Sequence, residues 1–93
     1  MAMFTTRIVL KDADWEDYVG LHKLMATQGF TKNITSDDGI VYELPDAEYN
    51  LVGELTISDA YEKAKAAADK TKLKYSILVS QATRRKWVGL EQM

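Results

Sequence analysis

Cysteine is absent from these 93 residues, so no disulfide, thiolate nucleophile or zinc ribbon can be built. Histidine occurs once, at His22, which excludes a multi-histidine metal site and the two-histidine acid/base pair of the best-known ribonuclease chemistry. No run approaches the roughly 20 apolar residues that a membrane span needs. Met1-Ala2-Met3-Phe4 leads directly into a strand pattern, not into a charged and then apolar leader. The expected location is therefore the cytoplasm, with no membrane partner. Neither sign of charge dominates: the formal net charge is −2, so the chain as a whole does not attract polyanions. No DNA partner is expected, and any RNA contact must come from a local basic patch.

What is present is an ordinary globular composition, 46% apolar and 28% charged, in a chain long enough for one domain with one core. Phe4, Thr6, Ile8 and Leu10 alternate with Thr5, Arg7, Val9 and Lys11, which predicts a strand with the first set towards the core. Asp14 is placed to cap a helix, with Asp17 at its third position. The helix should run from Trp15 to about Gln28, its apolar side made by Tyr18, Leu21 and Met25 and flanked by Leu24, His22 and Trp15. Gly29 falls where a left-handed end is expected. The segment Phe30 to Leu55 reads as a long bent hairpin. Ser36-Asp37-Asp38-Gly39 marks a bulge or reversal within it, and Pro45-Asp46 a turn. Thr56, with Asp59 three residues on, or else Ser58 then caps a second helix whose alanines, Ala60, Ala64, Ala67 and Ala68, would let it lie close to its neighbour. Leu73, Tyr75, Ile77 and Val79 alternate in a last strand.

Strand, helix, strand, strand, helix, strand has a preferred solution. Two right-handed crossovers joined by a hairpin give the ferredoxin-like split βαβ, an α+β fold with a four-stranded antiparallel sheet in the order 4-1-3-2 and both helices on one face. Residues 1–82 would form this single domain and 83–93 a basic C-terminal extension without clear period. Arg7, Val9, Asn50, Val52, Ser76 and Leu78 would occupy the uncovered face. The two central strands carry no aromatic ring there, which disfavours base stacking on the sheet. The band of Val9, Val52 and Leu78 fits a homodimer interface instead.

The stretch Ile34-Thr35-Ser36-Asp37-Asp38-Gly39-Ile40-Val41-Tyr42-Glu43-Leu44-Pro45, followed by Ala47-Glu48-Tyr49-Asn50, resembles the GhoS-type family, the small endoribonuclease antitoxins of type V toxin-antitoxin systems. Leu21-His22, Gly29-Phe30 and Lys63-Ala64-Lys65-Ala66-Ala67-Ala68 extend the resemblance, which covers about Phe4 to Ser80. It implies a ferredoxin-like fold similar to that of the small CRISPR-associated nucleases. The activity it implies is sequence-preferring cleavage of a toxin messenger RNA. In those nucleases a carboxylate near the end of the first strand binds a metal at the dimer axis. The nearest equivalents here are Asp12 and Asp14, and two copies of Asp12 would suit a magnesium ion, which needs few protein oxygens.

The remaining candidates follow from chemistry. Asp12 is otherwise a solvated turn residue and Asp14 a helix cap. A metal-free ribonuclease needs a base for the 2′-hydroxyl; His22 is the one side chain that ordinarily titrates near neutrality, though its place on the helix equally suits packing. Arg7 either stabilises a phosphorane or stays in water. Arg84-Arg85-Lys86-Trp87 joins three cations to a ring that stacks on a base, covers a core edge, or lies in a solvated tail. A non-catalytic dimeric protein-interaction domain is the alternative function.

Overall fold

The computed structural model describes all residues, Met1–Met93. The elements in chain order are β1 (Ala2–Leu10), α1 (Trp15–Thr27), β2 (Asn33–Thr35), β3 (Val41–Glu43), β4 (Glu48–Gly53), α2 (Ile57–Asp69) and β5 (Tyr75–Ala82). No helix is long and apolar enough to cross a membrane.

Strand β1 is central, with β4 antiparallel on one side and β5 antiparallel on the other. Its alternation decides the two faces: Phe4, Thr6, Ile8 and Leu10 are buried, while Arg7 on the opposite side is exposed. Against the buried row lie Leu21 and Met25 of α1 and Ala60, Ala64, Ala67 and Ala68 of α2, all in one core cluster with Tyr49 and Leu51 of β4. With only methyl groups on its inner side, α2 approaches closely and buries its alanines completely or nearly so. Both helices begin with reciprocal caps. Asp17 N–H donates to Asp14 Oδ1 at 2.9 Å while Asp14 N–H donates to Asp17 Oδ2. Thr56 and Asp59 repeat the pattern at α2. Gly29, at φ +92°, ends α1 in the left-handed region, where a side chain would be strained.

The expected four-stranded ferredoxin-like sheet is not what forms. The sheet has three strands, β4-β1-β5, and β2 pairs with β3 in a separate two-stranded ribbon. Only one residue before β2 reaches the main sheet: Thr31 and Asn50 exchange both backbone hydrogen bonds at 2.8 Å. Beyond it the backbone turns to its own neighbour. The Lys32 carbonyl accepts from Leu44 N–H, and the Lys32 ammonium bends back to the carbonyls of Pro45 and Glu48. The physical reason is the turn at Ser36–Gly39. Ser36 N–H donates to the Ile40 carbonyl, Gly39 N–H donates to the Ser36 carbonyl, and Gly39 sits at φ +84°. A reversal this tight closes a very short loop at little entropic cost, so Asn33–Thr35 meet Val41–Glu43 before they can extend along β4.

The C-terminal extension is a strap. Beyond Ala82 it passes beneath the sheet from β5 and finishes on the free edge of β3. There Glu43 N–H donates to the Glu91 carbonyl at 2.8 Å and Met93 N–H to the Val41 carbonyl at 2.9 Å. The sheet face expected to lie open is therefore partly covered by the chain's own tail.

Candidate nucleic-acid interface

The strap carries Arg84-Arg85-Lys86-Trp87, and its position follows from two side-chain contacts and two backbone hydrogen bonds. Arg85 is half-buried, and its Nη2 donates to Asn50 Oδ1 at 2.8 Å. Burial pulls its pKa down, and its Nε has no partner. Trp87 meets Tyr42 of β3 edge to face, the ring centres 5.5 Å apart and the planes at 68°. The two backbone bonds to β3 close the strap's far end.

These contacts leave a cleft of about 620 Å³ between the underside of the sheet, the β2–β3 ribbon and the strap. Met3, Asn50 and Val52 form its roof, Asp37 and Asp38 one wall, and Arg85, Lys86 and Trp87 the other, with Tyr42 beside Trp87. A smaller cleft of about 400 Å³ opens on the other side of the strap, between Glu48, Pro45 and Leu90. The larger one brings together cations, an aromatic edge pair, an amide and carboxylates. Those are the group types that hold the backbone and bases of a single strand.

The chain matches no protein-family model and no curated protein.

The other candidate residues fall elsewhere. Arg7 is on the underside, 3.9 Å from Glu48 and exposed, which makes that ion pair weak. Asp12 is exposed in the turn after β1 at φ 55°, a conformation that Asp tolerates better than most residues. Asp14 is engaged as the cap of α1. His22 lies on the helix side of the sheet. Its Nδ1 is hydrogen-bonded to the hydroxyl of the buried Tyr49 (2.5 Å), its ring meets the Trp15 and Tyr49 rings edge to face, and its Nε2 is buried without a partner. Arg7 and His22 are thus on opposite faces of the sheet, and neither lines the large cleft. No three His, Asp or Glu side chains gather as a metal site within the chain.

A group that sequence reasoning missed surrounds His22. The Lys32 ammonium stands 4.6 Å from the centre of the Tyr49 ring, and Phe30 meets the same ring edge to face. Burial lowers the Lys32 pKa and pushes the Tyr49 hydroxyl up. The pKa of His22 is held below its ordinary 6.5 by burial first and by Lys32 second, against the carboxylates of Asp46 and Glu43. The one available signal was the strand phase of Tyr49 with Leu51, which aims its ring at α1.

The lowered His22 pKa sets a sign for stability against pH. The unfolded chain takes up a proton at His22 more readily than the native one. Stability from this group is therefore complete above about pH 6.5 and is lost as pH falls through the lower native pKa. Thermal melts from about pH 7.5 down to about pH 5 should show a fall in Tm that His22→Gln reduces; an identical fall in the variant would assign it to other groups.

Proposed function

We propose that the chain binds single-stranded RNA in the cleft between sheet, ribbon and strap, and that it cleaves a toxin messenger as an endoribonuclease of the antitoxin kind it resembles. The observation that carries the binding part is the joint placement of Lys86, Trp87, Tyr42 and Asn50 around one cleft. The cations attract phosphates, and the ring pair gives a base something to stack on. Support for cleavage comes from the sequence resemblance. Because Arg7, Asp12 and His22 do not converge in one chain, chemistry using more than one of them would need a second copy. In that arrangement Asp12 from two copies would hold a magnesium ion through its carboxylate oxygens, and the ion would supply charge stabilisation or a bound hydroxide.

A second reading, a non-catalytic dimeric interaction domain, is favoured by Leu78, which is 63% exposed on the part of the underside that the strap does not reach.

Fluorescence anisotropy with labelled single-stranded RNA separates the two. Wild type should bind, and Trp87→Ala should bind about tenfold more weakly, since stacking on a ring contributes about 1–3 kcal/mol per base. Trp87→Phe should retain most of the affinity. Cleavage is followed on the same RNA with and without EDTA, with Asp12→Ala, His22→Ala and Arg7→Ala alongside. Absence of RNA binding by the wild-type chain would defeat the proposal and leave the interaction domain standing.

A further inference from the structure

The walls of the large cleft differ in hydrogen-bonding sense. On the ribbon side, Asp37 and Asp38 offer only acceptors, and the Asp38 carboxylate is held in place by the Ser36 hydroxyl, which donates to its Oδ1. That bond sits inside the closed Ser36–Gly39 turn, so the carboxylate is carried on a fixed piece of backbone. On the roof and the strap side the free groups are donors. Arg85 occupies the Asn50 carbonyl oxygen, which orients the amide so that its NH₂ is the group left for a ligand, and the Lys86 ammonium follows. A planar ligand lying between these walls beside Trp87 must present donors along one edge and acceptors along another.

The four RNA bases meet that requirement unequally. Uracil flanks its one ring N–H with two carbonyls, so turning it towards Asp38 sets oxygen against a carboxylate. Adenine and cytosine each offer an amino group next to a ring nitrogen lone pair, which allows one bond and opposes the second. Guanine alone carries N1–H and N2–H side by side, a two-donor fork like that of a guanidinium, and its O6 and N7 face the other way as acceptors. We infer that the cleft selects guanine, with Asp38 accepting from N1–H and N2–H while Asn50 and Lys86 donate to O6 and N7. The inference rests on the RNA-binding reading above and adds a base preference to it.

The test uses the full chain and a labelled uridine octamer in which one central position is uridine, guanosine, inosine or adenosine. The guanosine octamer should bind about tenfold more tightly than the all-uridine one, with inosine, which lacks the 2-amino group, in between. In Asp38→Asn, whose amide oxygen still accepts from Ser36 but whose NH₂ is a donor, that advantage should disappear, read as the ratio of guanosine to all-uridine affinity within the same variant. Guanosine monophosphate should displace the guanosine octamer at lower concentration than uridine monophosphate does. Equal wild-type affinity for the guanosine and uridine octamers, or an undiminished guanosine advantage in Asp38→Asn, would sink the base preference and leave RNA binding intact. No binding of any octamer would sink both. Guanosine monophosphate binding as tightly as the octamer would show a free-nucleotide site and overturn RNA as the occupant.

Discussion

Deletion of residues 83–93 is expected to reduce RNA affinity by at least tenfold and to flatten its dependence on salt. The strap supplies Arg85, Lys86 and the Trp87 ring to the cleft, with the exposed Arg84 next to them in sequence, so its loss removes one wall of the cleft and both cations that line it. Each phosphate contact on a single strand contributes about −0.7 to the slope of log affinity against log salt, so that slope should become shallower by about 0.7 for each strap cation that meets a phosphate. Anisotropy titrations at several salt concentrations read both quantities, and equal affinity for full-length and truncated chains would exclude the strap from binding. The deletion also has a structural consequence. Tyr42 loses its ring partner, Val41 and Glu43 lose their backbone partners, and the edge of β3 becomes free to pair with another chain. A ring pair contributes about 0.5–1.5 kcal/mol and each of the two backbone hydrogen bonds about 0.5–1.5 kcal/mol, so a loss of about 1.5–4.5 kcal/mol in stability should accompany the change. Trp87→Ala in the intact strap keeps the β3 edge covered, and it separates loss of stacking from loss of fold.

The elements that were legible in the sequence are those whose information is local. Asp14 with Asp17 and Thr56 with Asp59 mark both helix starts because each pair satisfies its own orphan N–H groups within one turn. The alternation of Phe4 to Leu10 and of Tyr75 to Val79 reports which face is covered, whatever covers it. The fourth strand failed for a related reason. Residues 30–44 carry alternation that suits any covered strand, and alternation does not say whether the partner is β4 or the same segment folded back. The Ser36–Gly39 reversal, visible as a turn signal, decided in favour of the nearer partner. Nor could the path of the strap be read. Its contacts, Arg85 on Asn50, Trp87 on Tyr42 and two backbone bonds to β3, lie at sequence separations where no period exists. So the cations and ring of Arg84-Arg85-Lys86-Trp87 were evident as a group, while the cleft they complete was not. Asp12, His22 and Arg7 stand out by chemistry alone, each by itself, and three separate places are where such residues fall when no geometric constraint links them.

Tyr49→Ala should be among the most damaging single substitutions in the molecule. Tyr49 is fully buried and is the point at which three parts of the chain meet: α1 through His22, the start of the ribbon through Phe30, and Lys32 over its ring. Removing a buried aromatic ring costs about 3–5 kcal/mol from lost transfer free energy and the cavity left behind. Here the loss extends further, because the Lys32 ammonium would face an empty space instead of a ring and His22 Nδ1 would join Nε2 as an unpartnered buried nitrogen. A domain of this length has about 5–14 kcal/mol of stability in total, so the variant should unfold at much lower urea concentration or fail to fold near physiological temperature. Tyr49→Phe isolates the hydroxyl. It keeps the ring under Lys32 and against Phe30, loses only the bond to His22, and should cost about 1–3 kcal/mol because His22 Nδ1 is left without its partner. The two unfolding midpoints, measured by urea titration followed by circular dichroism, therefore separate packing from hydrogen bonding at this residue. If Tyr49→Phe proved as damaging as Tyr49→Ala, the His22 bond and not the ring would be what ties α1 to β4. A midpoint for Tyr49→Ala close to wild type would mean that the ribbon and α1 are held to the sheet by contacts other than those converging on this ring.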